Sequence, residues 1–149
     1  MMSKILLDRI IPLLTNQEHL DGVLGMLREI LVLQDKLDNP ERQDFYFQKG
    51  VSNHIAHLET LKNEYAKIVE TVNNNSVDQF LGEVNDYKEK VQKLTSKGYL
   101  NTIDQMALGI MKGEISKFQN LLEIKGRFGT LKPFDELMQD ENALMEIFS

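Results

Sequence analysis

The chain has 149 residues, 42% hydrophobic and 27% charged, with a net charge of -6 and no cysteine. Those proportions belong to a folded globular chain of single-domain size, one able to bury roughly 70% of its unfolded surface. They exclude a disulfide framework, a thiol nucleophile and a thiolate zinc site, and the acidic balance argues against nucleic acid as the partner.

Residues 3–14 read as a short helix that Pro12 kinks or ends, because proline lacks the amide proton an interior position needs. Asp8 and Arg9 interrupt this apolar stretch and no small-residue cleavage site succeeds it, so it does not read as a secretory leader. Thr15 and Glu18 make a capping box for a helix reaching about Leu37, with Leu20, Val23, Leu24, Leu27, Ile30, Leu31 and Leu37 on one face. Asn39-Pro40 supplies the next start, an N-cap with proline at the first helical position. Gly50 bends or splits this third helix. Beyond it Val51, Ile55, Leu58, Leu61, Tyr65, Ile68, Val69 and Val72 share a stripe up to the polar run Asn73-Asn74-Asn75.

Ser76 and Gln79 form a second capping box, and Val77, Phe80, Leu81, Val84, Tyr87, Val91 and Leu94 form the stripe of the helix that Gly98 ends. Thr102 and Gln105 read as a third capping box. The helix beyond is almost wholly apolar from Ile103 to Met111 and continues through Phe118 and Leu122 to Gly126. Pro133 opens the last segment, whose apolar face holds Phe134, Leu137, Met138, Leu144, Met145 and Phe148.

No stretch sustains the two-residue alternation of a strand. The expected fold is all-α: an antiparallel up-and-down bundle of four long helices, about 16–37, 40–72, 77–97 and 103–125, with short N- and C-terminal helices, in one domain over residues 1–149. The longest apolar run, Val23 to Leu33, contains Arg28 and Glu29, so no membrane span is expected. The absence of cysteine suits a reducing compartment, and the expected location is the cytoplasm.

Charge is distributed unevenly. Residues 88–132 hold nine bases against four acids, a local +5, whereas residues 133–149 hold five acids and no base. The acidic amphipathic C-terminal helix is accordingly expected to dock on residues 77–97 and 103–125, driven chiefly by burial of its phenylalanines. The other reading makes the same face, Phe134, Leu137, Met138, Leu144, Met145 and Phe148, a ligand for a partner's groove.

Chemistry-bearing patterns are sparse. No Glu-x-x-His pair, zincin motif, phosphate-cradling glycine loop or EF-hand loop occurs. His54 falls on the apolar stripe with His57 one turn on, a spacing that lets two imidazoles share a metal, but no third ligand is visible. The plainer reading is a core histidine beside a boundary one. Glu114 falls amid the apolar face of residues 103–125, where a desolvated carboxylate could carry protons, unless Lys117 neutralises it at the surface. Lys88, Lys90, Lys93 and Lys97, with Tyr87 and Tyr99 nearby, resemble the charge-and-stacking surface of a single-strand binder. Lysines near a helix C-terminus also simply complement the helix dipole.

These features together lead to the expectation of a non-enzymatic helical protein–protein interaction module, an adaptor, chaperone-like or inhibitory protein. It is expected to use no cofactor, no metal and no nucleic acid, its partner being another protein or a second copy in a homodimer. Its support is an apolar surplus on the helices at 16–37 and 103–125, where the stripe covers about half the circumference. The alternatives are a metal-binding or enzymatic bundle using His54, His57 and Glu114, and a nucleic-acid binder using the lysines of residues 77–97.

Overall fold

Helix start and stop chemistry explains most of the architecture seen in a computed structural model, which describes residues 4–14 and 22–148. The elements are α1 (Lys4–Leu14), α2 (Gly22–Asp38), a 3-10 turn (Pro40–Arg42), α3 (Phe45–Lys49), α4 (Val51–Asn74), α5 (Val77–Thr95), α6 (Thr102–Phe128), α7 (Phe134–Gln139) and α8 (Glu141–Phe148). The fold is all-helical, with no strand among the described residues. The capping pair expected at Thr15 and Glu18, and Leu20, lie outside those residues.

Local signals act as expected in some places and differently in others. Ser76 caps α5 reciprocally with Gln79: the Ser76 hydroxyl accepts from the Gln79 amide at 3.1 Å, and the Ser76 amide donates to the Gln79 side chain at 2.6 Å. At α6 the capping pair is shifted by one residue from the expected Thr102 and Gln105. The Asn101 side chain accepts from the Asp104 amide at 2.8 Å, and Asp104 accepts in return from the Asn101 amide at 3.3 Å. Asparagine is at least as good a cap as threonine, so the earlier residue wins. Gly126 does not end α6, which runs to Phe128 and stops at Gly129, where φ is 71°. Pro12 lies inside α1 rather than ending it.

The stretch expected as one helix over 40–72 is divided. Asn39 precedes Pro40 as expected, but what it starts is only the 3-10 turn, and its side chain makes no cap bond, its amide group donating to the Asp35 carboxylate at 2.9 Å. Asp44 supplies the cap instead, accepting from the Phe47 amide at 2.7 Å and starting α3. That bond, with Lys36 nearby, holds the Asp44 carboxyl below its ordinary pKa. Gly50 closes α3 and α4 begins immediately after. The expected C-terminal helix is likewise two. The Asp140 backbone leaves the helical region (φ -104°, ψ 85°), and its carboxylate accepts from the Ala143 amide at 3.0 Å to cap α8.

Contacts divide the chain into two compact units, Met1–Glu70 with Lys132–Ser149, and Thr71–Leu131. The first holds an apolar core, with Phe45, Tyr46 and Ile55 exposed at its surface. Ile10 and Leu14 of α1, Leu27, Ile30 and Leu31 of α2, Phe47, Leu58, Leu61 and Tyr65, and Leu137, Leu144 and Ile147 are all buried. Asp35 is buried among them and is compensated as a buried charge must be: it accepts from Asn39 and, at 2.7 Å, from Arg42, which also pairs with Asp8 of α1. The contacts described for α7 and α8 lie within this unit. Helix α8 packs against α1, Glu141 pairs with Arg9, and Lys62 lies 5.2 Å from the Phe134 ring centre. Apolar burial at Leu137 and Leu144 governs this placement. The charge of Lys132 is engaged locally by Asp140, whose carboxyl is held below its ordinary pKa by that bond and by the α8 amides.

Two measurements probe this core. Leu58→Ala is expected to cost about 2–5 kcal/mol in denaturant unfolding, while Ile55→Ala, on the same helix and 45% exposed, should cost under about 0.5 kcal/mol. The Tyr65 hydroxyl donates to the Lys132 carbonyl at 2.9 Å, and burial pushes its pKa up to about 12. The folded state therefore favours the protonated phenol, a preference fully present below pH 10 and lost as pH rises from 10 through 12. Tyr65→Phe should cost about 1 kcal/mol near neutral pH, with the gap closing above about pH 10. In an alkaline titration monitored by phenolate absorbance, one of the four tyrosines should ionise last.

Candidate interaction surface

The second unit is built on a helix pair. A six-residue connection, Ser96 to Asn101, returns the chain after α5, so α6 packs alongside it as an antiparallel hairpin. Phe80, Val84, Leu121 and Ile124 bury its seam near the open end, where Val72 and Leu131 add to the core. Phe118 sits 6.4 Å from Phe80 and 6.2 Å from Tyr87 between ring centres. Asn73 fixes the end of the return loop by pairing with both backbone groups of Leu131, donating to its carbonyl at 2.9 Å and accepting from its amide at 2.8 Å.

Toward the connection the hairpin changes character. No residue from 85 to 120 is buried. Tyr99, Ile103, Met106 and Ile110 are 77%, 76%, 65% and 68% exposed. The last three recur at i, i+3 and i+7, one face of α6, and they lie off the seam where Leu108, Met111 and Ile115 are half-buried. Large apolar side chains exposed together on one helix face mark an interaction site more often than scattered single ones do.

Residues singled out in the sequence have ordinary partners. His54 is half-buried, its ring stacked on Phe47 with centroids 4.4 Å apart and its Nδ1 2.8 Å from the Gly50 carbonyl. Gly50 makes room for this, since a Cβ there would meet the imidazole at 3.3 Å. His57 is exposed, with Nε2 3.9 Å from Glu29. The two histidines thus turn to different partners, and no group of three metal-ligating side chains occurs among the described residues. Glu114 is half-buried on α6 in the other unit. Lys117, expected to neutralise it, lies over the Phe118 ring at 5.6 Å.

Of the four lysines on residues 77–97, Lys93 pairs with Glu89 at 3.9 Å, Lys97 with Asp104 at 3.5 Å, and Lys90 lies 5.0 Å from the Tyr87 ring centre. The C-terminal residues are mostly packed away. Leu137 and Leu144 are buried, and Phe134, Met138, Met145 and Phe148 are half-buried. A groove of about 420 Å³ near the open end of the hairpin is lined by Phe80 and Phe118 together with Asp78, Glu83 and Asp86. No described helix is long and apolar enough to cross a membrane.

The exposed face of α6 was visible in the sequence only as a surplus. The run from Ile103 to Met111 is apolar around more of the helix than one partner can cover, but period alone does not say which part the chain leaves uncovered. The structural consequence can be measured directly. Replacing Ile103, Met106 and Ile110 by Ser should change unfolding free energy by less than about 0.5 kcal/mol per site beyond helix propensity, whereas Leu121→Ala should cost about 2–5 kcal/mol.

Compared with known proteins, the chain matches no family model, no curated protein and no solved structure.

Proposed function

We infer that the protein is a non-enzymatic helical interaction module, an adaptor or inhibitor-type protein, and that its binding surface is the exposed face of α6 with Tyr99 at the connection. The single observation that carries this reading is the exposure of Tyr99, Ile103, Met106 and Ile110 together at the bare end of a helix pair. Removing such side chains from water favours association by about 25 cal/mol per Å² of apolar area, before the costs of ordering are met. The lysines and acids that border the face form a polar rim of the kind that surrounds an apolar interface core.

The half-buried side chains of α7 and α8 are a smaller surface. Their largest neighbours, Leu137 and Leu144, already serve the first unit's core, so the C-terminal face is the second choice for a partner. The antiparallel pairing of α5 with α6, the part of the expected four-helix arrangement that their packing supports, belongs to the same proposal. So does a cytoplasmic site of action, supported by the lack of cysteine in the whole sequence.

Site-specific photo-crosslinking in the cells that make the protein tests the surface. A benzophenone side chain at Met106 should give a discrete protein adduct. The same group at Glu59, exposed on α4 of the first unit, should give none. Equal or absent adducts at the two positions would contradict the assignment of the face.

A further inference from the structure

The exposed face of α6 has an uneven distribution of bulk. Taken at helical spacing it reads Ile103, Met106, Gly109 with Ile110, Gly113, and Ser116 with Lys117. Large apolar side chains occupy its N-terminal end, and small ones followed by Lys117 its C-terminal end. A Cβ added at Gly109 or Gly113 would meet nothing within 4 Å. Packing within the chain therefore gives no reason for glycine at either position, although each weakens a helix interior relative to alanine. Close approach by another helix does give a reason.

Building on the assignment of this face as a binding surface, we propose that its occupant is a second copy of the chain, seated antiparallel across a two-fold axis between Gly109 and Ile110. In that register Met106 of each copy lies opposite Gly113 of the other, Ile110 opposite Gly109, and Ile103 opposite Ser116. Every large apolar side chain faces a small one and Lys117 faces Thr102, and the symmetry repeats each pairing twice, as an isologous contact requires.

Charge selects the same orientation. Residues 77–86 carry Asp78, Glu83 and Asp86 and no base, whereas residues 87–97 carry Lys88, Lys90, Lys93 and Lys97 against Glu89 alone. With the α6 charges counted, residues 87–110 carry +2 and residues 77–86 with 111–128 carry -1, so antiparallel seating sets unlike ends side by side, while parallel seating would bring two basic ends together. Area sets the size class. Tyr99, Ile103, Met106 and Ile110 present on the order of 500 Å² per copy, so pairing removes about 1,000 Å² from water, the lower edge of a specific interface. The dimer is accordingly at the small end of specific interfaces, built as a four-helix assembly from two hairpins.

Sedimentation equilibrium of the full chain from about 1 to 500 µM should show reversible monomer–dimer exchange in this range. Gly113→Leu fills the space meant for the partner's Met106. It should weaken dimerisation at least tenfold while leaving the melting temperature equal or higher, because the free helix has room for the side chain and gains propensity. Ile110→Glu should abolish the dimer with helicity unchanged. The cysteine-free sequence also allows a register test by disulfide trapping. Mixed Met106→Cys and Gly113→Cys chains should cross-link to each other in preference to themselves, since antiparallel Met106 positions lie about 10 Å apart along the axis. A chain that stays monomeric throughout overturns the second-copy proposal; a protein adduct at Met106 would then leave the binding surface standing with a different occupant. A dimer indifferent to Gly113→Leu, or one trapped preferentially as Met106→Cys homodimers, overturns the proposed pairing.

Discussion

Two helices in contact share one seam, and a seam covers only part of each helix. The second unit is organised by this constraint. Near its open end the seam is reinforced from outside the pair by Val72 and Leu131, and there Phe80, Val84, Leu121 and Ile124 become fully buried. Toward the connection nothing from residue 85 to residue 120 is buried. An α6 apolar on one stripe would be satisfied by that seam. This α6 is apolar on a wider arc, and the excess, Ile103, Met106 and Ile110, faces solvent. Helices within proteins owe most of their stability to packing of an apolar face, and the bare end of the hairpin has the least of it.

The first unit is more fully covered. Its helices bury apolar residues in a common core, α1 through Ile10 and Leu14, α2 through Leu27, Ile30 and Leu31, α7 and α8 through Leu137, Leu144 and Ile147, while Phe45 and Tyr46 of α3 stay 63% and 81% exposed. The one charge drawn into it, Asp35, is held by Asn39 and Arg42 and thereby joins the end of α2 to the 3-10 turn. Closing Lys132 to Tyr65 and Asp140 brings the returning chain into the same core. In the second unit the side chains proposed for binding, Ile103, Met106 and Ile110, are distinct from those that bury the seam, Phe80, Val84, Leu121 and Ile124.

How much of this the sequence discloses depends on the range of the interaction. Signals confined to a few residues were legible: the Ser76–Gln79 box, the stop at Gly98 with its positive φ, and the helical period through Leu58, Leu61 and Tyr65. Local signals failed where a side chain was claimed by a neighbour, as when Asn39 turned back to Asp35 and left Asp44 to start the next helix, or when Asp140 capped α8 and split the C-terminal segment. What period cannot convey is coverage. Ile55 and Leu81 share stripes with buried residues yet are 45% and 43% exposed, because no described residue covers that part of the face. The same gap separates the apolar surplus of α6, which the sequence shows, from the bare face, which only the fold shows. His54 illustrates the reverse case: its place on the apolar stripe was legible, but its engagement by Phe47 and the Gly50 carbonyl depends on the turn at Gly50.

The measurement closest to the central claim is amide hydrogen exchange, resolved by segment and recorded as a function of protein concentration. Residues 77–84 and 121–124, inside the reinforced end of the seam, should be well protected at every concentration. Residues 99–113 should exchange faster in the dilute chain and gain protection as the concentration rises through the micromolar range. Protection of residues 99–113 that is already as strong as that of the buried seam in the most dilute sample would contradict the account, because it would mean that this part of α6 is covered by its own chain.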